Sequence, residues 1–151
     1  MPLSTSTVIA QIRDLVVTVS GINRVYAVSE TDENAIPPAL NELPCAMVFY
    51  DTLIAYLLSA GQHRHTYQVR VDIFVSGGDI GARVVAALPM VDRVLELFAL
   101  NVTLGNRCNS CRVMSAVFTG FEYPPGGPTY TGYRIIVEIS EQASAAPATG
   151  S

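Results

Sequence analysis

Apolar positions recur with two different periods along the chain, and the periods divide it into elements. Near the start, Val8, Ile9, Ile12, Leu15, Val16 and Val19 fall every three to four residues, so "STSTVIAQIRDLVVTVSG" predicts an amphipathic helix with Ser4 or Ser6 at its cap and Gly21 at its end. "RVYAV" (24–28) predicts a short strand. "SETDENAIPPALNELP" is acidic and turn-rich, and Pro37, Pro38 and Pro44 exclude a regular ladder or helix there. "CAMVFYD" (45–51) predicts a buried strand, and "TLIAYLLSAG" (52–61) is read as extended, turning at Gly61-Gln62.

The period then becomes two. In "HRHTYQVRVDIFVS" (63–76), Tyr67, Val69, Val71, Ile73 and Val75 share one face and Thr66, Gln68, Arg70 and Asp72 the other, which predicts a long strand with one core face and one polar face. Helical spacing returns in 77–101, where Val84, Leu88, Val91, Leu95 and Phe98 form a stripe. Pro89 inside it implies a kink, or two helices with Pro89 opening the second. "RVMSAVFTGFEY" (112–123) and "TYTGYRIIVEIS" (129–140) predict two strands, with Val113, Val117 and Phe121 on one face of the first and Tyr133, Ile135, Val137 and Ile139 on one face of the second. The expected architecture is α+β: an antiparallel or mixed β-sheet, two helices packed on one face, and a long C-terminal β-hairpin. Residues 1–141 read as one domain and 142–151 as a flexible tail.

Composition changes this picture in one respect. Half of the 151 residues are apolar and 15% are charged, against about 25% in an average soluble domain. So few charges imply that part of the surface is covered by other protein. A membrane is rejected as the cover, because the longest apolar stretch, "AMVFYDTLIAYLLSA", holds Asp51 and falls short of the roughly 20 residues a spanning helix needs. The start has no positively charged n-region, so no secretory signal is expected and cytoplasmic synthesis is inferred. The net charge is −4 and all nine cations are scattered arginines, unlike the basic face of a sequence-reading nucleic-acid binder.

Candidate chemistry is thin. His63 and His65 flank Arg64 on one side of a strand, a possible metal pair that Asp51 and Asp72 could in principle complete, but with Arg64 between them a polar strand edge is the preferred reading. Cys108 and Cys111 have the spacing of a zinc half-site or redox pair, but no second half-site follows and the motif precedes a strand, so ordinary loop thiols are expected. "VSGGDIGA" (75–82) lacks the lysine and glycine spacing of a phosphate loop, and Asp79 is better read as a helix cap. Asp92 and Glu96 lie opposite the apolar stripe and belong to a solvated face. No catalytic residue, metal or cofactor is assigned.

"YPPGGPTYTGY" (123–133) raises a different possibility. Tyr123, Pro124, Pro125, Gly126, Gly127, Pro128, Tyr130 and Tyr133 make a stiff loop that loses little entropy on docking and carries amphipathic contact area. The alternative is a plain hairpin turn. His63, Arg64 and His65 complete the candidate contact residues, and the edges of the 63–76 strand and of the closing hairpin are candidates for pairing between subunits.

The order of "VIAQIRDLV", "LPCAMVFYD", "HTYQVRVDIFVS", "GARVVAALPMVDRVLELF" and "VFTGFEYPPGGPTYTGYRIIVEIS" over about residues 8–140 resembles the tail terminator family of long-tailed bacteriophages. It departs from that family at Pro89 and at the apolar "TLIAYLL". The resemblance implies a structural virion protein and not an enzyme: a ring, expected to be hexameric, at the phage neck. Such a ring caps the tail tube protein, ends its polymerisation and meets the head-tail connector or stopper protein, while genomic DNA passes through the lumen. Assembly would take place in the bacterial cytoplasm. A head-closure or tail tube protein, or a small metal- or ligand-binding domain, are the alternatives.

Overall fold

The structure, a computed structural model, describes residues 5–28, 35, 36, 40, 42–59, 62–77, 85, 87–105, 108 and 110–144, with backbone alone at 5, 6, 51–59, 62–64, 76, 77 and 142–144. The elements are α1 (Thr5–Val16), β1 (Arg24–Ala27), β2 (Cys45–Ser59), β3 (Gln62–Gly77), α2 (Leu88–Leu100), β4 (Ser110–Glu122) and β5 (Thr129–Ser144). The fold is α+β: among the described residues, two helices and a mixed five-stranded sheet in the order β1-β2-β3-β5-β4. β1 runs parallel to β2 and all other neighbours are antiparallel. β5 continues through Ser144, so the first residues read as tail are strand.

The stripe of α1 is buried as its spacing requires. Val8, Ile9, Ile12, Val16 and Val19 are in the core and Leu15 packs against it. The helix itself stops at Val16, short of Gly21, and the chain leaves it through two tighter turns, Thr18 N–H to Leu15 O and Val19 N–H to Val16 O. α2 starts at Leu88 with Pro89 in its first turn, where the missing N–H has no helical partner to lose. Its buried stripe is Met90, Val91, Val94 and Phe98, rotated from the one expected: Leu88 is exposed and Leu95 only partly covered. Val84 and Asp79 lie outside the described residues. Asp92 and Glu96 face water.

The main core joins both helices to one face of the sheet, with Tyr67, Val69, Val71 and Ile73 of β3 beside Tyr133, Ile135, Val137 and Ile139 of β5. The segment 52–59 is extended, as read, while residues 60 and 61 lie outside the description. Two expectations about faces need correcting. The second face of β3 is not simply polar: Asp72 is 2% exposed and Phe74 is the hub of a second core holding Tyr26, Cys45, Met47, Phe121 and Tyr130. Val113, Val117 and Phe121 also do not share a face. The β4–β5 register shifts between Val113 and Ser115, and one extra residue on a strand inverts every side chain beyond it. Val113 therefore packs on the main core, Phe121 enters the second core, and Val117 is exposed.

Candidate assembly surface

β4 forms one border of the sheet, paired with β5 alone among the described residues. It is 13 residues long, and only Cys111 and Phe121 are buried. Its charges sit near the ends, at Arg112 and Glu122. Residues 113–121 contain neither a charge nor a proline. Along that stretch Met114, Val117 and Phe118 are 47%, 53% and 52% exposed. Sheet borders of this length are normally blunted by charge, proline or brevity, because their unpaired N–H and C=O groups are a template for another chain. β4 has none of these devices in its middle. Between its first half and α2 lies an apolar groove of about 420 Å³ lined by Leu95, Phe98, Val102, Cys111 and Val113.

The loop after β4 is built from its tyrosines outward. Tyr123 N–H donates to Pro128 O at 3.0 Å and Gly127 N–H to Pro124 O at 2.7 Å, which closes the turn. Gly126 has φ of +79°, a left-handed conformation that costs side-chain-bearing residues about 1–2 kcal/mol. Pro124, Pro125, Gly126 and Pro128 are exposed and Gly127 is half-buried. The tyrosines do not project with them. Tyr130 is buried edge-on against Phe74 at 5.9 Å between centroids, and Tyr123 packs on the same ring at 6.0 Å. Tyr133 is in the main core, 5.9 Å from Phe118. The tyrosines expected to meet a partner are instead the loop's anchors, and the surface it offers is proline and glycine. Sequence reasoning missed this because alternation alone does not say that the face opposite the main core is also covered.

β3 cannot serve as a pairing edge. It lies between β2 and β5, and both sides are paired from Gln62 to Phe74, which corrects the expectation that the 63–76 strand joins subunits. The His63 and Arg64 side chains lie outside the described residues. His65 is half-buried opposite Glu141 of β5. Glu141 is itself buried and accepts a 2.8 Å hydrogen bond from the Tyr67 hydroxyl.

On the second face, the Arg134 Nε and Nη2 grip Asp72 at 2.9 and 3.3 Å, and Arg70 Nε stands 3.0 Å away as an ion pair without hydrogen-bond alignment. Arg70 covers the Phe49 ring and Arg134 the Phe121 ring, at 4.6 and 5.3 Å from the centroids. A buried carboxylate is tolerated here because two guanidiniums, each backed by a ring, neutralise it.

Cys45, Cys108 and Cys111 are all buried and free: Cys108 lies in the connection before β4, as read, while Cys111, read as a loop thiol, lies inside β4. Burial, with Glu42 adding, raises Cys45 to about 12. Burial likewise raises Cys111 to about 12, with Cys108 adding, and Cys108 to about 11, with Glu141 adding, from an ordinary 9.0. Thiols held protonated are poor nucleophiles and poor metal ligands. Among the described residues no group of three or more His, Cys, Asp or Glu is gathered to hold a metal. Because the folded chain keeps these protons more tightly than the unfolded one, their contribution to stability is complete below about pH 9 and drains as pH climbs toward 12. The slope is at most about 1.4 kcal/mol per pH unit for each thiol. Thermal melts should hold level from pH 7 to 8.5 and drop steeply above pH 9.5, and Cys45→Ala should shallow that drop.

Compared with known proteins, the chain matches no protein-family model and no curated protein. Among the described residues no helix is long and apolar enough to cross a membrane.

Proposed function

We propose that this chain is a ring-forming structural protein of a bacteriophage neck, a tail terminator that caps the tail tube and presents its other surface to the head connector. The observation that carries the reading is β4: a long border, uncharged and apolar over 113–121, that a lone soluble subunit would ordinarily blunt. Identical subunits related by rotation cover such borders by closing on themselves. The low charge content of the whole chain agrees with surface reserved for copies and neighbours. The net charge of −4 suits a lumen through which DNA slides without sticking. In this reading β4 and β5 form the long closing hairpin. The proline loop at its tip docks on the tail tube protein, and the site is the virion neck after assembly in the host cytoplasm.

The test is electron microscopy of the purified chain alone and mixed with tail tube protein. Single closed rings that sit on tube ends and stop their growth are expected. Long tubes from this chain alone would make it a tube protein, and particles without rings would remove the proposal. Deleting residues 124–128 should leave a folded, ring-forming subunit, since four of the five residues removed are exposed and none belongs to either core, yet weaken binding to tube ends at least tenfold. Normal capping by the deletion variant would show that the loop is only a turn.

A further inference from the structure

The sheet has a second open border, and it matches the first. β1 covers β2 only from Cys45 to Val48, so among the described residues the backbone of residues 50–59 pairs on one side alone, with β3. This opening lies at the side of the sheet opposite β4. The paired registers place the two borders on common levels. Arg112 lies across from Glu138, Glu138 from Gln68, and Gln68 from Thr52, beside the irregularity at Asp51. In the same way Val113 shares a level with Tyr50, through Val137 and Val69. Val28, whose N–H reaches Val48 O, lies one residue beyond the Ala27–Val48 pair, beside Phe49, and so at the level of Ser115, through Arg70 and Ile136.

Two complementarities follow. Residues 50–59 hold one charge, the acidic Asp51, at the level of the basic Arg112 of β4. Exposed apolar side chains also meet in a band on the levels of residues 113–115, with Val28 and Tyr50 on the first border and Met114 on the second, while the exposed Val117 and Phe118 lie level with Tyr26 and Val25 of β1. Direction agrees too. Three successive antiparallel steps make β4 antiparallel to β2 and hence to β1. Copies related by rotation about an axis along the strands keep both direction and level.

We infer that copies of this chain join head to tail through their sheets, β4 of one copy pairing antiparallel with the β1–β2 border of the next and bringing Arg112 opposite Asp51. The inference rests on the self-association proposed above and specifies its interface. Main-chain hydrogen bonds between the borders supply affinity, and the apolar band and the charge pair set the register. The two borders differ, so the contact is heterologous: it does not stop at a dimer, and with a rotation that returns to its start it closes a ring.

The experiment is native mass spectrometry of the full chain across a concentration series, on wild type, Arg112→Asp, Asp51→Arg and the double variant. Each single variant sets like charges face to face, and each is expected to raise the concentration at which rings form at least tenfold. The double variant restores the pair in reverse and is expected to assemble near wild-type concentrations. Within one chain Arg112 bonds Glu138 at 3.0 and 3.2 Å. Loss of that exposed contact is common to Arg112→Asp and the double variant, so rescue isolates the contact between copies. Arg112→Asp impaired while Asp51→Arg assembles normally would mean β4 pairs with itself and would overturn the inference. Rings indifferent to all three changes would overturn it while leaving the ring proposal standing. A wild type that never associates would remove both.

Discussion

Gly132→Ala is expected to cost about 3 kcal/mol and to lower the melting temperature by roughly 10 °C. Gly132 lies in β5 between Phe74 of β3 and Thr119 of β4, beside the register shift between Phe74 and Ser76. A Cβ placed there would overlap the Ile73 carbonyl oxygen and stand 2.9 Å from the Ile73 carbonyl carbon and 3.2 Å from the Phe74 Cα. All three are backbone atoms in the middle of the sheet, so no side chain can swing aside. Relief requires β3 and β5 to part, and these are the central strands on which both cores are built. The loss is a large share of the 5–15 kcal/mol that a domain ordinarily has. Gly120→Ala is the internal control. It lies in β4, and its added Cβ would meet only Tyr130 O, at 3.7 Å, an ordinary contact. Chemical denaturation of both should separate them by at least about 2 kcal/mol. Equal, small effects would mean that β5 does not approach β3 as described.

Asp72→Ala is expected to cost about 2–3 kcal/mol. Removing one member of a buried ion pair leaves the others uncompensated, at about 3–5 kcal/mol when they are fully buried. Arg70 and Arg134 side chains are 28% and 41% exposed, so they can turn partly to water, and the cost falls below that range. The change also loosens the second core, because both guanidiniums lie over rings, Phe49 and Phe121. Asp72→Asn keeps the shape without the charge and should fall between. A cycle of Asp72→Ala and Arg134→Met, read by urea denaturation, should give a coupling above about 1 kcal/mol. Additive effects would mean the contact contributes nothing to folding.

These two sites mark where the chain's pattern could be read and where it could not. α1 was legible because six apolar residues keep helical phase and nothing competes with them. The β3 core face was legible because Tyr67, Val69, Val71 and Ile73 alternate without interruption. The opposite face of β3 was not. A strand reading Gln68, Arg70, Asp72 looks solvated until Phe121 and Tyr130, distant in sequence, are seen to build a second core around Phe74 of the same strand. The β4 faces were misread for a related reason: the shift after Val113 leaves no trace in composition. The α2 stripe was misplaced by a fraction of a turn, since Leu88 and Met90 both fit helical spacing and only packing chooses between them. The candidate site suffered most. Neighbour order in a sheet is not written in any single strand, so β3, the longest alternating segment, looked like an edge and is central. The border turned out to be β4, marked in sequence only by the run of nine uncharged residues at 113–121.

The central claim is that this border exists to be covered by copies of the same chain. Sedimentation velocity of the purified 16.2 kDa protein, over a hundredfold range of concentration, tests it most directly. The account predicts a cooperative passage from monomer to one closed assembly of fixed size, blocked in Val117→Lys, whose change lies on an exposed position and leaves the fold intact. A wild-type chain that sediments as a monomer throughout, with β4 open to solvent, would contradict it.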